Sequence, residues 1–531
     1  MMKDRLKLLS IIIAASAGLV VWLLAYGVLL RILSGDATML DLMIKTEPFA
    51  PVKQFWDHIE NARVQRIALI SLFPALLASS ILIIAIRRKE FHPLGNASFQ
   101  DMASLRKARW FRKDGHILGR IGHRTLRVMD ERHHIVIGPT RSGKGLSYVI
   151  PNALAHKGSM IVTDLKGEIF LNTADFRRRN GNAVFVFAPG SQNSNCYNPL
   201  DFIRGEPGDR TTDIQNIADM LIPETSGSEN AIWQSTAQQV LAGIISYITE
   251  SPRYEGRRSF GEINSFINSG EALQSTFEDI KAAEPYLSKF TIESFNSYIG
   301  LSERAAQSAL LDLQKAMRPF KNEKIVMATS TTDIELSAIQ SRPVTIYIAP
   351  NISDLNLLRP LTALFVQQIL SLLTRELNTA RMPVYFLLDE FCQLKRMDEI
   401  VGKLPFVAGY NIKLAFVVQD LKSLDAVYGE NLRQSLLANC GYQLILGAND
   451  LATADYVSRA LGKTTIKFKT LSRSGDLFGQ SRLSKTEQVR ERDLMMSQEI
   501  REMPGGQMLI LCEGQKPILA QKPKCLARRA R

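Results

Sequence analysis

The stretch "GPTRSGKGLS", Gly138 to Ser147, decides how this chain of 531 residues is read. It has the spacing of a phosphate-binding loop, G-x-x-x-x-G-K followed by Ser or Thr, with one departure: Lys144 is followed by Gly145. An apolar run, "HHIVIG" (His133–Gly138), precedes it and a helical stretch follows, the strand–loop–helix context that the motif needs. Gly138 and Gly143 let the backbone bend and turn its N–H groups toward phosphate oxygens. The helix N-terminus adds positive potential. Lys144 is placed to reach the β- and γ-phosphates, and Pro139, Thr140, Arg141 and Ser142 complete the cradle that ends at Gly145. Gly145 offers no hydroxyl to a magnesium ion. Ser147 is no obvious substitute, because two residues along a helix point to another face. Nucleotide binding is therefore expected to survive and hydrolysis to be slow, with the metal held by phosphates, water and a distant carboxylate.

That carboxylate has two candidates. Asp164 ends the apolar run "MIVTD" and sits in "DLKGE"; Asp389 and Glu390 end "VYFLLDE". An apolar strand closing on Asp–Glu is the Walker B form, in which the Asp orients metal-bound water and the Glu activates the attacking water. Asp389 is assigned to the metal and Glu390, with Lys144, to the chemistry. Gln419 ends the next strand, "KLAFVVQ", where a polar side chain can sense the γ-phosphate or align water.

Outward from the loop, apolar runs alternate with helical stretches. "MIVTD", "AVFVFAP" (Ala183–Pro189), "VTIYIAP" (Val344–Pro350), "VYFLLDE", "KLAFVVQ" and "YQLILG" (Tyr442–Gly447) read as strands buried on both faces. With crossover helices such as Leu355–Leu377, they define a parallel sheet in an α/β domain. Between the third and fourth strands lie about 150 residues of helical pattern. In one stretch Val240, Leu241, Ile244, Ile245 and Ile248 form an apolar face. The expected organisation is an α/β nucleotide-binding domain over 91–191 and 336–531, with an all-α domain, 192–335, inserted. Trp233 is read as core of that insertion. The tail "KPKCLARRAR" is read as mobile.

The N-terminal region differs. Leu9–Leu30 is free of charge over about 22 residues, and Ile67–Ile86 over about 20, enough for two membrane-crossing helices despite Pro74. Lys3, Arg5 and Lys7 precede the first; Arg87, Arg88 and Lys89 follow the second. The positive-inside rule puts both termini in the cytoplasm and a loop, 31–66, outside. The run "RKARWFRK" (Arg106–Lys113), close behind the second span, suits acidic lipid better than nucleic acid. Net charge is +13 with a pI near 9.4, compatible with nucleic acid or an anionic membrane face and silent about fold. The five cysteines lack C-x-x-C or Cys/His spacing, which excludes a zinc site and fits reduced packing residues.

Taken together the motifs resemble the coupling proteins of type IV secretion, the TraG/TraD-like family. The resemblance rests on "GPTRSGKG", "IPNAL" (Ile150–Leu154), "VTDLKGE" (Val162–Glu168), "YNPLD" (Tyr197–Asp201) and "LLDEF" (Leu387–Phe391). It continues through the strand ending in Gln419, "VYG" (Val427–Gly429), "ALGKTT" (Ala460–Thr465) and "RDLMMSQEI" (Arg492–Ile500). The last has Asp493 where the family has Pro. The resemblance implies an inner-membrane ATPase with a RecA-like domain using ATP and Mg2+, and an all-α domain facing the cytoplasm. It further implies a homo-hexameric ring with ATP at subunit interfaces, presenting a relaxase–DNA complex (single-stranded DNA) or effector proteins to a secretion channel. The family admits Gly after the loop Lys, and its "DLKGE" pattern makes Asp164 and Glu168 lining residues. An arginine from a neighbouring subunit is implied at the site; Arg433 lies in one of several suitable stretches.

Four functions fit. The first is a conjugative DNA pump, toward which the basic charge leans. The second is a coupling receptor for protein effectors, and the third a scaffold that binds ATP to assemble and scarcely turns it over. The fourth is an FtsK/HerA-like DNA motor, disfavoured by the helical insertion.

Overall fold

The structure, a computed structural model, describes residues 2–35, 42–43, 45, 47–86, 94–223, 231–377, 381–394, 396–475 and 481–523. Arg87, Arg88, Lys89, Asp36, Asp41 and nearly all of the basic tail lie outside them. The chain forms two units, Met1–Pro93 and Leu94–Arg531.

The first unit pairs two helices, Met2–Ser34 and Ala62–Ile86, with a short one, Ala50–Asp57, between. Each long helix carries a stretch of span length and composition, Ile11–Leu33 and Ala62–Ile83. Pro74 sits inside the second. The helices meet at a small-residue crossing: a Cβ on Gly18 would lie 2.2 Å from Ser79 Oγ, and that hydroxyl donates to the Ala14 carbonyl at 3.1 Å. Close backbone approach through small residues is how apolar helices associate without a hydrophobic driving force. Leu69, Phe73 and Leu76 stay exposed on the outer surface, as lipid-facing residues would.

The second unit is built on an eleven-stranded sheet of order β2-β1-β13-β12-β9-β3-β8-β7-β4-β6-β5. Seven neighbours are parallel: β9 (Tyr442–Ile445), β3 (His134–Ile137), β8 (Ile412–Val418), β7 (Val384–Leu388), β4 (Ser159–Thr163), β6 (Val344–Ile348) and β5 (Ala183–Phe187). Alternation at period two assigns Ile135, Ile161, Ile346, Phe386 and Phe416 to one core and Val136, Met160, Tyr347, Leu387 and Val417 to the other. Both faces are covered, so these strands are apolar throughout. The expected parallel sheet is extended at one edge by strands that the sequence reading did not pick out. At one edge β12 (Gln507–Cys512), β13 (Ile518–Gln521), β1 (His116–Ile121) and β2 (Arg124–Val128) add antiparallel pairings.

Between β5 and β6 the described chain is helical, with helices running from Pro207–Leu221 to Glu323–Ala328. Their apolar faces, including Val240, Leu241, Ile244, Ile245 and Ile248, join the same core as one face of the sheet. The segment "YNPLD" forms the root of this insertion. Tyr197 is buried against Phe187 and Phe365, while Asn198 Nδ2 donates to the Arg258 carbonyl and to Asp201 Oδ1. Trp233 is half-buried rather than core. A third stretch of span length, Ile352–Leu373, is a core helix: Leu358, Leu361, Leu364 and Leu370 are fully buried.

Two elements were not legible beforehand. β10 (Lys463–Gly475) and β11 (Ser481–Asp493) form a separate two-stranded ribbon with thirteen registered pairs. Trp110, read as part of a lipid-facing run, is an anchor: it is 2 % exposed, its indole N–H donates to Gln515 Oε1 at 3.0 Å, and its ring meets Tyr442 edge-on.

Candidate functional site

Ligands of open α/β sheets bind outside the carboxyl ends of the strands. Here β3, β8, β7 and β4 are adjacent, and their carboxyl ends deliver Gly138, Gln419, Asp389–Glu390 and Asp164 respectively. One topology thus brings the sequence-selected residues to one end of the sheet.

The loop arches from Gly138, whose N–H donates to the Val418 carbonyl at 3.2 Å. Arg141 and Gly143 adopt positive φ, 64° and 86°, a conformation costly for arginine and cheap for glycine. Thr140 and Arg141 are exposed at the crest. A Cβ on Gly138 would lie 2.6 Å from Ser142 Oγ, a buried hydroxyl without a partner among the described residues. The turn after Lys144, Gly145–Val149, is π-helical, a widening common at functional sites. Ser147 is buried within it. Lys144 is 8 % exposed and donates to the carbonyls of Gly138 at 2.6 Å and Pro139 at 3.2 Å. Burial lowers its pKa from the ordinary lysine value, and the charges of Glu390 and Asp389 oppose that shift.

Glu390 is held in a strained backbone, φ 50°. Gln419 Nε2 donates to its Oε2 at 3.0 Å, and Lys166 Nζ lies 3.9 Å from its Oε1. Behind it Phe391 stacks on Tyr428 of "VYG" at 5.5 Å. Gly429 follows at φ 76° and interrupts helix Leu421–Asn439. The Asp389 backbone carbonyl accepts from Thr163 Oγ1 at 2.9 Å.

The second candidate carboxylate is differently occupied. Asp164 is 2 % exposed, and its Oδ2 accepts the Phe170 N–H at 2.7 Å at the start of helix Glu168–Arg179. Burial raises its pKa and those N–H bonds oppose the rise. One of its carboxylate oxygens is thus engaged at a helix end. Arg433 pairs within its own chain with Asp425 at 3.0 Å and Glu430 at 3.2 Å.

Two lysines escaped sequence reasoning. Lys166 carries no spacing signal within "DLKGE". Lys522, just past β13, donates to the Ser142 carbonyl at 2.9 Å, pinning the loop between its two left-handed residues from the far end of the chain.

Burial raises Asp389 to about 7, and the Glu390 charge adds to the rise. A raised carboxylate is substantially protonated at and below neutrality, and a divalent cation must displace that proton. Magnesium affinity is therefore expected to fall as pH drops through this value, by roughly tenfold per unit below it. Magnesium titrations of nucleotide binding across pH read this directly, and Asp389→Asn should flatten the profile. At Gly145 a Cβ meets nothing within 4 Å, so Gly145→Ser fits without strain. It is expected to raise basal turnover or tighten magnesium dependence roughly tenfold, the scale of a contact that supports a metal. An unchanged magnesium curve would mean that the metal is not held from this position.

A strand–loop–helix phosphate cradle after β3, with paired carboxylates two strands away at the end of β7 and the polar end of β8 between them, defines a RecA-like P-loop protein. Comparison then gives the family: residues 87–527 match the type IV secretory system conjugative DNA transfer family, and the chain belongs to it. It is 28% identical over 460 residues to VirD4 of Rhizobium radiobacter, covering 84% of this chain and 65% of that protein. It is 28% identical over 453 residues to a conjugal transfer protein TraG of Escherichia coli, covering 78% and 69%. The chain thus spans about two thirds of the length of these relatives. Among solved structures, the bacterial conjugative coupling protein TrwB shares the fold with TM-score 0.62 at 16% identity, over 82% of this chain and 94% of that one. A TrwB complex with ADP and Mg2+ also matches with TM-score 0.62, at 15% identity over 82% and 95%.

Proposed function

We propose that this chain is an inner-membrane coupling ATPase that binds ATP with Mg2+ and uses its hydrolysis to deliver a relaxase–DNA complex to a type IV secretion channel. The observation that carries the reading is the convergence of Lys144, Asp389, Glu390 and Gln419 at adjacent strand ends, in a family of conjugative DNA transfer. The two apolar helices ahead of it are long enough to hold the protein in a bilayer. In this reading Gly138–Gly145 cradles the phosphates, and Lys144 exchanges its loop carbonyls for phosphate oxygens. Asp389 holds the metal, Glu390 takes the proton of the attacking water, and Gln419 orients Glu390. Magnesium, when bound, would be held by Asp389 and would supply positive charge that offsets the charge of the phosphates. The reading extends to a homo-hexamer with DNA-stimulated turnover and cytoplasmic termini, and to an all-α domain over about residues 192–335, the stretch that holds the described helices from Pro207–Leu221 to Glu323–Ala328.

Gly145 favours one second reading: a receptor for protein effectors that assembles on ATP and hydrolyses little. A cell-based assay scoring plasmid transfer against effector-protein transfer separates the two. Plasmid transfer that depends on this chain supports the first reading; effector transfer without plasmid transfer replaces it.

A further inference from the structure

The run "RKARWFRK" becomes a defined surface once Trp110 is removed from it. Trp110 is drawn into the core, and its N–H donates to the Leu105 carbonyl while its carbonyl accepts the Arg127 N–H. Arg109 adopts φ 58°, and Arg112 Nε donates back to the Arg109 carbonyl at 3.2 Å. The inward tryptophan thereby turns its neighbours outward as a group. Arg106, Arg109, Arg112 and Arg124 surround a hollow of about 440 Å³ with Phe111 in its wall. The Arg124 guanidinium lies over the Phe111 ring at 5.5 Å. All four arginines are exposed, and none forms an ion pair with a carboxylate among the described residues. Met102, one turn before Arg106 on helix Met102–Lys107, is exposed on the same face.

Four arginines without carboxylate partners among the described residues, beside exposed Met102 and half-buried Phe111, fit an anionic surface with an apolar layer beneath it. We infer that this surface seats the anionic headgroups of the membrane that holds the two N-terminal helices. The inference rests on the reading that those helices cross a bilayer. Chain length favours lipid over nucleic acid. Leu94 is fixed to the second unit, its N–H donating to Thr465 Oγ1 at 3.2 Å. The Ala97 and Gln100 N–H groups are likewise bound, to the Lys463 and Pro517 carbonyls. Eight Cα steps separate Ile86, the end of the second apolar helix, from Leu94, a reach of about 28 Å at most. The surface begins eight residues further on. Headgroups are thus delivered to it by the tether at high effective concentration, whereas DNA has to be brought there. Each arginine near an anionic leaflet contributes roughly fivefold to association, and salt screens the contribution.

The test uses the full chain in nanodiscs of zwitterionic lipid or of lipid containing phosphatidylglycerol, read by amide hydrogen exchange over residues 102–128. Slower exchange in the anionic discs, reversed by high salt, is the expected result. R106Q/R109Q/R112Q/R124Q should abolish the protection while nucleotide affinity is retained. The matching all-lysine variant should keep it. Identical exchange in the two lipids overturns the inference, as does protection that follows a single-stranded oligonucleotide in zwitterionic discs. Failure of the chain to incorporate into discs would instead overturn the membrane reading beneath it.

Discussion

Replacing Lys144 by alanine is expected to lower ATP turnover by about 10²–10³-fold, the scale of one preorganised charge aimed at a reacting phosphate. The structure gives two reasons. The ammonium stands within the field of Glu390 and Asp389, so its removal leaves those carboxylates facing the phosphates with Lys166, 3.9 Å from Glu390 Oε1, as the nearby cation. It also ties Gly138 and Pro139, so its loss frees the first half of the loop. Weaker nucleotide affinity should accompany the fall in turnover. Because Lys144 bonds to backbone of its own loop, the change should leave thermal stability nearly intact, and a melting curve separates loss of chemistry from loss of fold. In cells the same variant should abolish substrate transfer. Normal transfer by a chain that cannot turn over ATP would end the motor reading and leave assembly as the role of the nucleotide.

The sequence was most legible where burial is symmetrical. β3, β4, β7 and β8 are buried on both faces, so each stands out as a mainly apolar run ending on a chemically distinctive residue. That is why Gly138, Asp164, Asp389 and Gln419 could be picked out together. The antiparallel edge was hidden for the converse reason. β2 offers only Leu126 and Val128, interspersed with Arg124, Thr125 and Arg127. β1 needs Gly119 where a Cβ would lie 3.1 Å from Ile510 and 3.2 Å from Ala520, and neither pattern announces a strand. The β10–β11 ribbon is polar or charged along most of its sequence, so no alternating apolar period marks it. Trp110 beside five basic residues looked like an interface, yet its partners Gln515 and Tyr442 lie hundreds of residues away. Lys522 has the same character: a contact made by the fold, with no spacing to reveal it.

Glu390→Gln should separate binding from hydrolysis more cleanly than any change in the loop. The expected loss of turnover is about 10²–10⁴-fold, the contribution of a positioned general base, with nucleotide affinity close to that of the native chain. The side chain is isosteric, and Gln419, which now donates to Glu390 Oε2, can meet an amide oxygen in its place. Glu390 is held at φ 50° by Phe391 stacked on Tyr428 behind it, a strain that only the backbone feels and that the substitution leaves unchanged. Lys166, itself half exposed, would lose a carboxylate partner that it meets only at 3.9 Å, a long pairing worth little to stability. Asp389→Asn should behave differently: it removes the negative charge proposed to hold the metal, so magnesium dependence weakens along with turnover. Equilibrium binding of a fluorescent ATP analogue, with magnesium titrated against each variant, distinguishes the two roles. Equal loss of nucleotide affinity in both variants would show that Glu390 shares the binding duty assigned here to Asp389. Full turnover in Glu390→Gln would move the base elsewhere among the groups at the carboxyl ends of β4, β7 and β8.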